Sequence, residues 1–300
     1  YLLIFCGVIF CLYISYSVVK YHKMASLAEQ IDRILHGEEL QIMEHCCEGE
    51  FAVLATSIDK MVQRMLEQQS ILQKEKVFLA DSMADISHQM KTPLTSISLL
   101  LNLLQEEHLS EKKRLQYVQD LMKLTGRIDW MVYALLRLAK LDAGTVQLQQ
   151  VPYQIEDLIK AAVTPLEIAL DIRDITLEVQ MQPDLQHRGD ISWMTEAVSN
   201  ILKNCMEHTP SGGHIRIVTK DNPLYLLIKI TDSGSGFTKQ DLPHIFERFY
   251  RGQNADTDSV GIGLALAKRI IIAQNGTIRA YNHKKDGGAV FEIRMYKGAV

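Results

Sequence analysis

Two sets of residues in this chain have side chains and spacing suited to chemistry. The first is Ser87-His88-Gln89-Met90-Lys91-Thr92-Pro93-Leu94. On a helix, Met83, Ile86 and Met90 fall within about 60° of one another, and His88 falls roughly opposite them, toward solvent. Thr92 follows one turn later, and Pro93 is placed to bend the helix just beyond. An exposed imidazole is a nucleophile that a separate domain can reach. A lone surface histidine is ordinarily only solvated, so its meaning depends on a phosphate donor elsewhere in the chain.

The second set assembles a site for such a donor. Asn200-Ile201-Leu202-Lys203-Asn204 sets two amides one helical turn apart, and an asparagine carbonyl can bind Mg²⁺, which takes a few protein oxygens together with phosphates and water. Asp232-Ser233-Gly234-Ser235-Gly236 follows at a strand end. A carboxylate there can accept a hydrogen bond from the amino group of adenine, while Gly234 and Gly236 let the ring approach the backbone. Phe246-Glu247-Arg248-Phe249-Tyr250-Arg251 offers aromatic surface and two guanidinium groups. Gly261-Ile262-Gly263-Leu264 opens a helix, where free N–H groups and the helix dipole favour phosphates. Each piece alone is ordinary, because glycine punctuates loops everywhere; their order is the stronger signal. GxxxxGK[ST], HRD and DFG are absent from the chain, which sets aside P-loop and protein-serine kinase readings.

The elements that must position these groups are legible in outline. Three hundred residues allow about two compact domains. With 47% hydrophobic and 23% charged residues, a packed core is expected and wholesale disorder is excluded. The net charge of −4 argues against a nucleic-acid partner bound by bulk charge. The mean hydropathy of −0.02 averages unlike parts. Residues 1–19 carry no charge and as a helix would cover about 28 Å, near the hydrocarbon thickness of a bilayer. Lys20, His22 and Lys23 follow and favour a cytoplasmic side. A spanning helix is expected, with a signal anchor or a buried helix as the alternatives. The chain opens on Tyr1 rather than Met, so a preceding segment is expected. The five cysteines (Cys6, Cys11, Cys46, Cys47 and Cys205) show no metal or disulfide spacing.

Residues 20–144 read as almost continuous helix. Ile58, Met61, Met65, Leu72, Leu79, Met83, Ile86 and Met90 trace a seam close to a heptad. A seam so narrow predicts pairing with a second copy. A further helix starts after Ser110 as N-cap and stops near Ala143-Gly144. Two such helices, doubled, make a four-helix bundle. Beyond Val151-Pro152 the pattern predicts helices over 155–170, 191–208 and 264–274, with strands over 175–179, 215–219, 225–231, 277–281 and 289–295. This is an α+β sandwich with helices on one sheet.

SHQMKTPLTSI, NILKN, DSGSGF, IFERFYR and GIGLALAK together resemble the phosphoacceptor box, N box, first glycine box, F box and second glycine box of the bacterial membrane sensor histidine kinases. All five occur in the family's order, within roughly residues 76–296. The resemblance implies a membrane helix (1–19), a helical relay linker (20–75), a dimerisation and phosphotransfer domain (76–145) and a GHKL-type ATP-binding domain (150–297). The linker reads either as a degenerate HAMP relay with a Gly37-Glu38 connector or as a plain coiled coil.

By position, the resemblance makes His88 the acceptor of the γ-phosphate of ATP, passed on to an aspartate of a separate response regulator. It assigns Mg²⁺ to Asn204 and the nearby ATP-site amide to Asn200. Adenine goes to Asp232 in a turn formed by Gly234 and Gly236, and the phosphates go to Gly261 and Gly263, beside Leu264. Arg248 and Arg251, flanked by Phe246 and Phe249, become candidate charge stabilisers. Residues 252–260 resemble a short ATP lid. Thr92 stands where relatives with phosphatase activity toward the regulator carry a polar side chain.

Two departures stand out. Gln89 follows the histidine where relatives commonly have a carboxylate, and an amide cannot take the imidazole proton. Asp85, three residues earlier on nearly the same face, is the candidate stand-in. Glu207 occupies a position near the end of the N box where a basic residue is frequent. Two other readings share these motifs: a nucleotide-binding scaffold that does not phosphorylate itself, and a GHKL ATPase outside phosphorelay. The partners implied are a second copy of the chain, a response regulator and the lipid of the bacterial cytoplasmic membrane.

Overall fold

The computed structural model describes residues 1–35, 50–106, 109–252, 260–283 and 287–297. Cys46, Cys47 and the Gly37-Glu38 connector lie outside the described residues, as does most of the lid segment, 253–259. Residues 1–81 and 82–300 form two separate units.

Helix α1 spans Leu2–Leu35 and α2 spans Glu50–Leu104. Within α1, Ile4–His22 is long and apolar enough to cross a membrane, with a mean hydropathy of 1.7 and none of it buried. Helix α2 runs on through Pro93 to Leu104. Pro93 has no N–H to offer the carbonyl four residues back, so the helix loses a hydrogen bond there without ending. Helix α3 spans Glu111–Asp142. Ser110 holds the N-cap position expected of it, with extended backbone, although its side chain makes no capping bond. Part of the seam stays open within one chain: Met61, Met65, Leu72 and Met83 are exposed, as are Leu115, Met122 and Leu136 of α3, whereas Ile58, Ile86 and Met90 are half-buried.

The remainder is an α+β sandwich. Strand β1 (Val151–Gln154) leads into α4 (Ile155–Val163), a 3₁₀ turn (Thr164–Leu166) and α5 (Glu167–Ile172). The single helix expected over 155–170 breaks at this turn, where Pro165 cannot donate to the helical ladder. Then come β2 (Thr176–Gln180), β3 (Gln186–Gly189), α6 (Ile191–His208), β4 (His214–Asp221) and β5 (Tyr225–Asp232). Helix α7 (Gly263–Ala273), β6 (Gly276–Asn282) and β7 (Ala289–Tyr296) complete it. The main sheet has the order β2-β4-β5-β7-β6, antiparallel except for the β2–β4 pair. Strands β1 and β3 form a separate two-stranded sheet that sequence reading missed.

Alternation along β4, β5 and β7 sends one face inward, as a period of two requires. Ile217, Ile228, Ile230 and Phe291 are fully buried there, as are Met194 and Ile201 of α6 and Ile270 of α7. The start of α6 is pinned at Asp190. Its carboxylate accepts from Ser192 N (3.1 Å) and Trp193 N (3.2 Å), while its own N–H donates to Gln274 Oε1 at 2.7 Å. This ties the entry of α6 to the end of α7, and the two helices carry the amides and the second glycine pair.

Candidate functional site

A cavity of about 730 Å³ gathers most of the second residue set. Asn200 and Asn204 enter from α6 and Asp232 from the end of β5. Gly261, Gly263 and Leu264 come from the start of α7, and Gly236, Tyr250 and Arg251 from the connecting loop.

Asp232 is 3% exposed. Its Oδ1 accepts from Gly234 N at 2.9 Å and Ala289 N at 3.0 Å, and the Cys205 thiol is hydrogen-bonded to the same carboxylate. Burial nevertheless raises the Asp232 carboxyl above its ordinary range, and these donors only partly offset it. The thiol of Cys205, fully buried beside this carboxylate, is raised as well. Gly234 does not line the cavity; it packs so close to the His208 carbonyl that a Cβ could not fit. Gly261 has φ +74°, and a Cβ there would stand 2.5 Å from Tyr250 O. Both positions need glycine for backbone approach. At the start of α7 the N-cap is Ile262, which has no side-chain bond to the first N–H groups. That helix end is therefore shaped for an anion.

The F box divides. Arg251 lines the cavity, whereas Phe246, Arg248 and Phe249 do not. Arg248 pairs with Asp142 at the end of α3, and Arg269 Nε binds the same carboxylate at 2.6 Å. In this arrangement the Arg248 guanidinium is paired with a carboxylate distant in sequence rather than placed along the cavity. Phe246 packs edge-on against Phe291, with Lys268 over its ring at 5.3 Å. Phe249 adopts φ +61° and packs against the core.

Sequence reading passed over Asp241, whose Oδ1 accepts from Tyr250 Oη at 2.7 Å and whose Oδ2 accepts from Thr238 Oγ1 at 2.8 Å. These bonds hold the wall of the cavity from Thr238 to Gly252 together. Glu207 also lines the cavity, 3.9 Å from Lys203 Nζ. Asn200, Asn204 and Glu207 all line the cavity, and their side chains carry oxygens of the kind that could hold Mg²⁺.

His88, Asp85 and Thr92 are exposed on α2, and Gln89 is half-buried. Thr92 Oγ1 donates to His88 O at 3.4 Å. None of these four lines the cavity. Helix α3 does: Lys123, Arg127 and Trp130 face it, with Lys203 Nζ 5.3 Å from the Trp130 ring centroid.

Residues 79–144 match the His Kinase A (phospho-acceptor) domain, and residues 189–298 match the Histidine kinase-, DNA gyrase B-, and HSP90-like ATPase family. The Heme sensor protein HssS of Staphylococcus saprophyticus is 27% identical over 296 residues, covering 99% of this chain and 62% of that protein. Sensor protein SphS of Synechococcus elongatus is 32% identical over 225 residues, covering 71% of this chain and 53% of that protein. The chain thus spans 53–62% of the length of these curated relatives. Among solved structures, Acinetobacter baumannii histidine kinase AdeS superposes with a TM-score of 0.57 at 19% identity, over 71% of this chain and 98% of that one. Histidine kinase ThkA, solved in complex with response regulator protein TrrA, gives 0.62 at 18% identity over 78% of this chain and 66% of that one. Both share the fold.

Proposed function

The chain belongs to the sensor histidine kinases of two-component systems, and from that premise we propose that it phosphorylates itself on His88 from ATP and passes the phosphoryl group to an aspartate of a response regulator. One observation carries the reading: the amides of α6, the buried Asp232 and the open start of α7 converge on one cavity, while an exposed imidazole waits on a separate helix.

Asp232 accepts the amino group of adenine, and the first N–H groups of α7 with Arg251 take up phosphate charge. Asn204, with Asn200 one turn away, holds Mg²⁺, which when bound neutralises charge on the phosphates. An imidazole nitrogen of His88 then bonds to the γ-phosphorus as the bond to the bridging oxygen breaks and ADP leaves. Gln89 cannot take the imidazole proton; Asp85 does so from one turn earlier. Asn200 cannot act as general base toward water, which favours transfer over hydrolysis. Thr92 orients the water that removes phosphate from the regulator, giving a phosphatase activity in the same chain.

Helix α1 anchors the protein in the bacterial cytoplasmic membrane, against lipid, with the remainder in the cytoplasm. The open seam on α2 and α3 supports a homodimer, and the complex of ThkA with its regulator supports a protein partner of that class. The test is incubation of the chain with γ-labelled ATP and Mg²⁺. Acid-labile, alkali-stable label that disappears in His88→Ala is expected, and label that persists in that variant would overturn the reading. Loss of label in Asp85→Asn tests the base, and undiminished regulator dephosphorylation by Thr92→Ala would remove that side chain from the phosphatase step.

A further inference from the structure

Helix α3 presents one continuous stripe to the α+β domain. At helical spacing it runs Lys123, Arg127, Met131, Ala134, Leu138 and Leu141. The last four are buried. Ion pairs reinforce this contact: Asp142 holds Arg248 and Arg269, and Arg137 lies 3.2 Å from Glu196 and 3.9 Å from the Trp193 ring centroid. The contact fixes the rotation of α3, so the N-terminal end of the same stripe, Lys123 and Arg127, overhangs the cavity that contains Asn200, Asn204 and the start of α7.

The charges in that cavity give the overhang a meaning. Among the described residues, its lysines and arginines are Lys123, Arg127, Lys203 and Arg251. Its carboxylates are Asp120, Glu207, Asp232 and Asp241. A polyphosphate entering the α+β domain alone would meet Lys203, already beside Glu207, and Arg251. Docking of α3 brings in the other two cations together with Asp120, a net gain of one positive charge. Glu207, where a base would be ordinary for the family, leaves a deficit that cations from α3 would offset.

The geometry points to Arg127, assisted by Lys123, as a nucleotide-binding residue supplied by the helical domain, gripping the β- and γ-phosphates so that ATP or ADP bridges α3 and the α+β domain. Because His88 of the same chain lies outside the cavity in this arrangement, the bridged state holds nucleotide away from that chain's own acceptor. The inference rests on the assignment of the cavity to ATP.

The experiment is calorimetric titration of the full chain with ADP and, separately, with adenosine. Arg127→Ala and Arg127→Gln should each weaken ADP about tenfold, the size of one charge-assisted hydrogen bond, and leave adenosine unchanged. Lys123→Ala should give a smaller loss, since that side chain is exposed. The unchanged adenosine affinity reports a folded site in each variant. ADP binding at wild-type strength in both Arg127 variants would overturn the inference while leaving the cavity's assignment intact. Equal loss of ADP and adenosine would also overturn it, by showing a structural role. A wild-type chain that binds neither ligand would overturn the assignment itself and the inference with it.

Discussion

Replacing Asp232 with asparagine changes one atom pair, and the structure dictates how the new side chain must sit. Oδ1 accepts two backbone N–H groups, from Gly234 at 2.9 Å and Ala289 at 3.0 Å. An amide nitrogen in that place would oppose both donors, so the asparagine carbonyl must take it. The NH₂ then occupies the place of Oδ2, the oxygen that does not take the two backbone N–H groups. If Asp232 accepts the amino group of adenine, as proposed, Asp232→Asn presents a donor to a donor. A hydrogen bond to a charged acceptor contributes about 1.5–3 kcal/mol, so ATP affinity should fall about 10- to 150-fold. The same NH₂ suits a purine with a carbonyl at that position, so ITP should lose less than ATP or gain. The assay is competition of ATP and ITP against a fluorescent nucleotide, with urea unfolding to confirm that the variant folds. An Asp232→Asn chain that keeps wild-type ATP affinity, or loses ATP and ITP by the same factor, would refute this reasoning.

The raised Asp232 carboxyl gives a pH prediction. The unfolded group titrates near about 3.9 and the folded one above that, because burial disfavours the charge. Between the two values the folded state binds more protons, so this group's contribution to stability grows as pH falls through the folded value. Nucleotide binding, which needs the ionised acceptor, moves the other way. ATP affinity should therefore weaken in mild acid, before ordinary carboxylates titrate, and this component should be missing in Asp232→Asn. Gly261→Ala and Gly287→Ala form a matched pair, with φ +74° and +76°. Both carry the left-handed cost of about 1–2 kcal/mol, but only at Gly261 does the new methyl meet backbone, whereas nothing lies within 4 Å at Gly287. Urea unfolding should show the larger loss for Gly261→Ala; equal losses would contradict the close approach to Tyr250. Asp142→Asn removes the shared partner of Arg248 and Arg269, both half-exposed pairs worth about 0.2–1 kcal/mol each. Because Met131, Ala134, Leu138 and Leu141 stay buried, α3 should remain docked, with at most a few-fold weaker ADP and a small minor population at longer distance between spin labels on α3 and α7.

The sequence carried the second residue set because its signals are local. Helix α6 begins and ends where the pattern places it; Asp190 caps it and the apolar positions recur at helical spacing, both visible within one stretch of chain. Asn200, Asn204, Asp232, Gly236, Gly261, Gly263 and Leu264 meet in one cavity, and the order of their motifs along the chain already grouped them. The break in the helix expected over 155–170 is also written locally, in Pro165. Strands β1 and β3, four residues each and rich in polar positions, lack the alternation that marks a strand. Only their pairing, from Val151 with Gly189 to Gln154 with Gln186, makes them one.

By itself, then, the sequence marked the groups proposed to do the chemistry and the seam that a second copy can cover, since residue type, helical period and glycine placement are properties of neighbours along the chain. Tertiary structure alone decided the partners of the long cationic side chains. That Asp142, 106 residues away, pairs with the Arg248 guanidinium is visible only in the fold. Arg127 reads as one more polar position on a helix until the packing of Met131, Ala134, Leu138 and Leu141 turns it over the nucleotide cavity. A flexible charged side chain follows the strongest field within its reach, and that field is set by elements the fold brings together from distant parts of the chain.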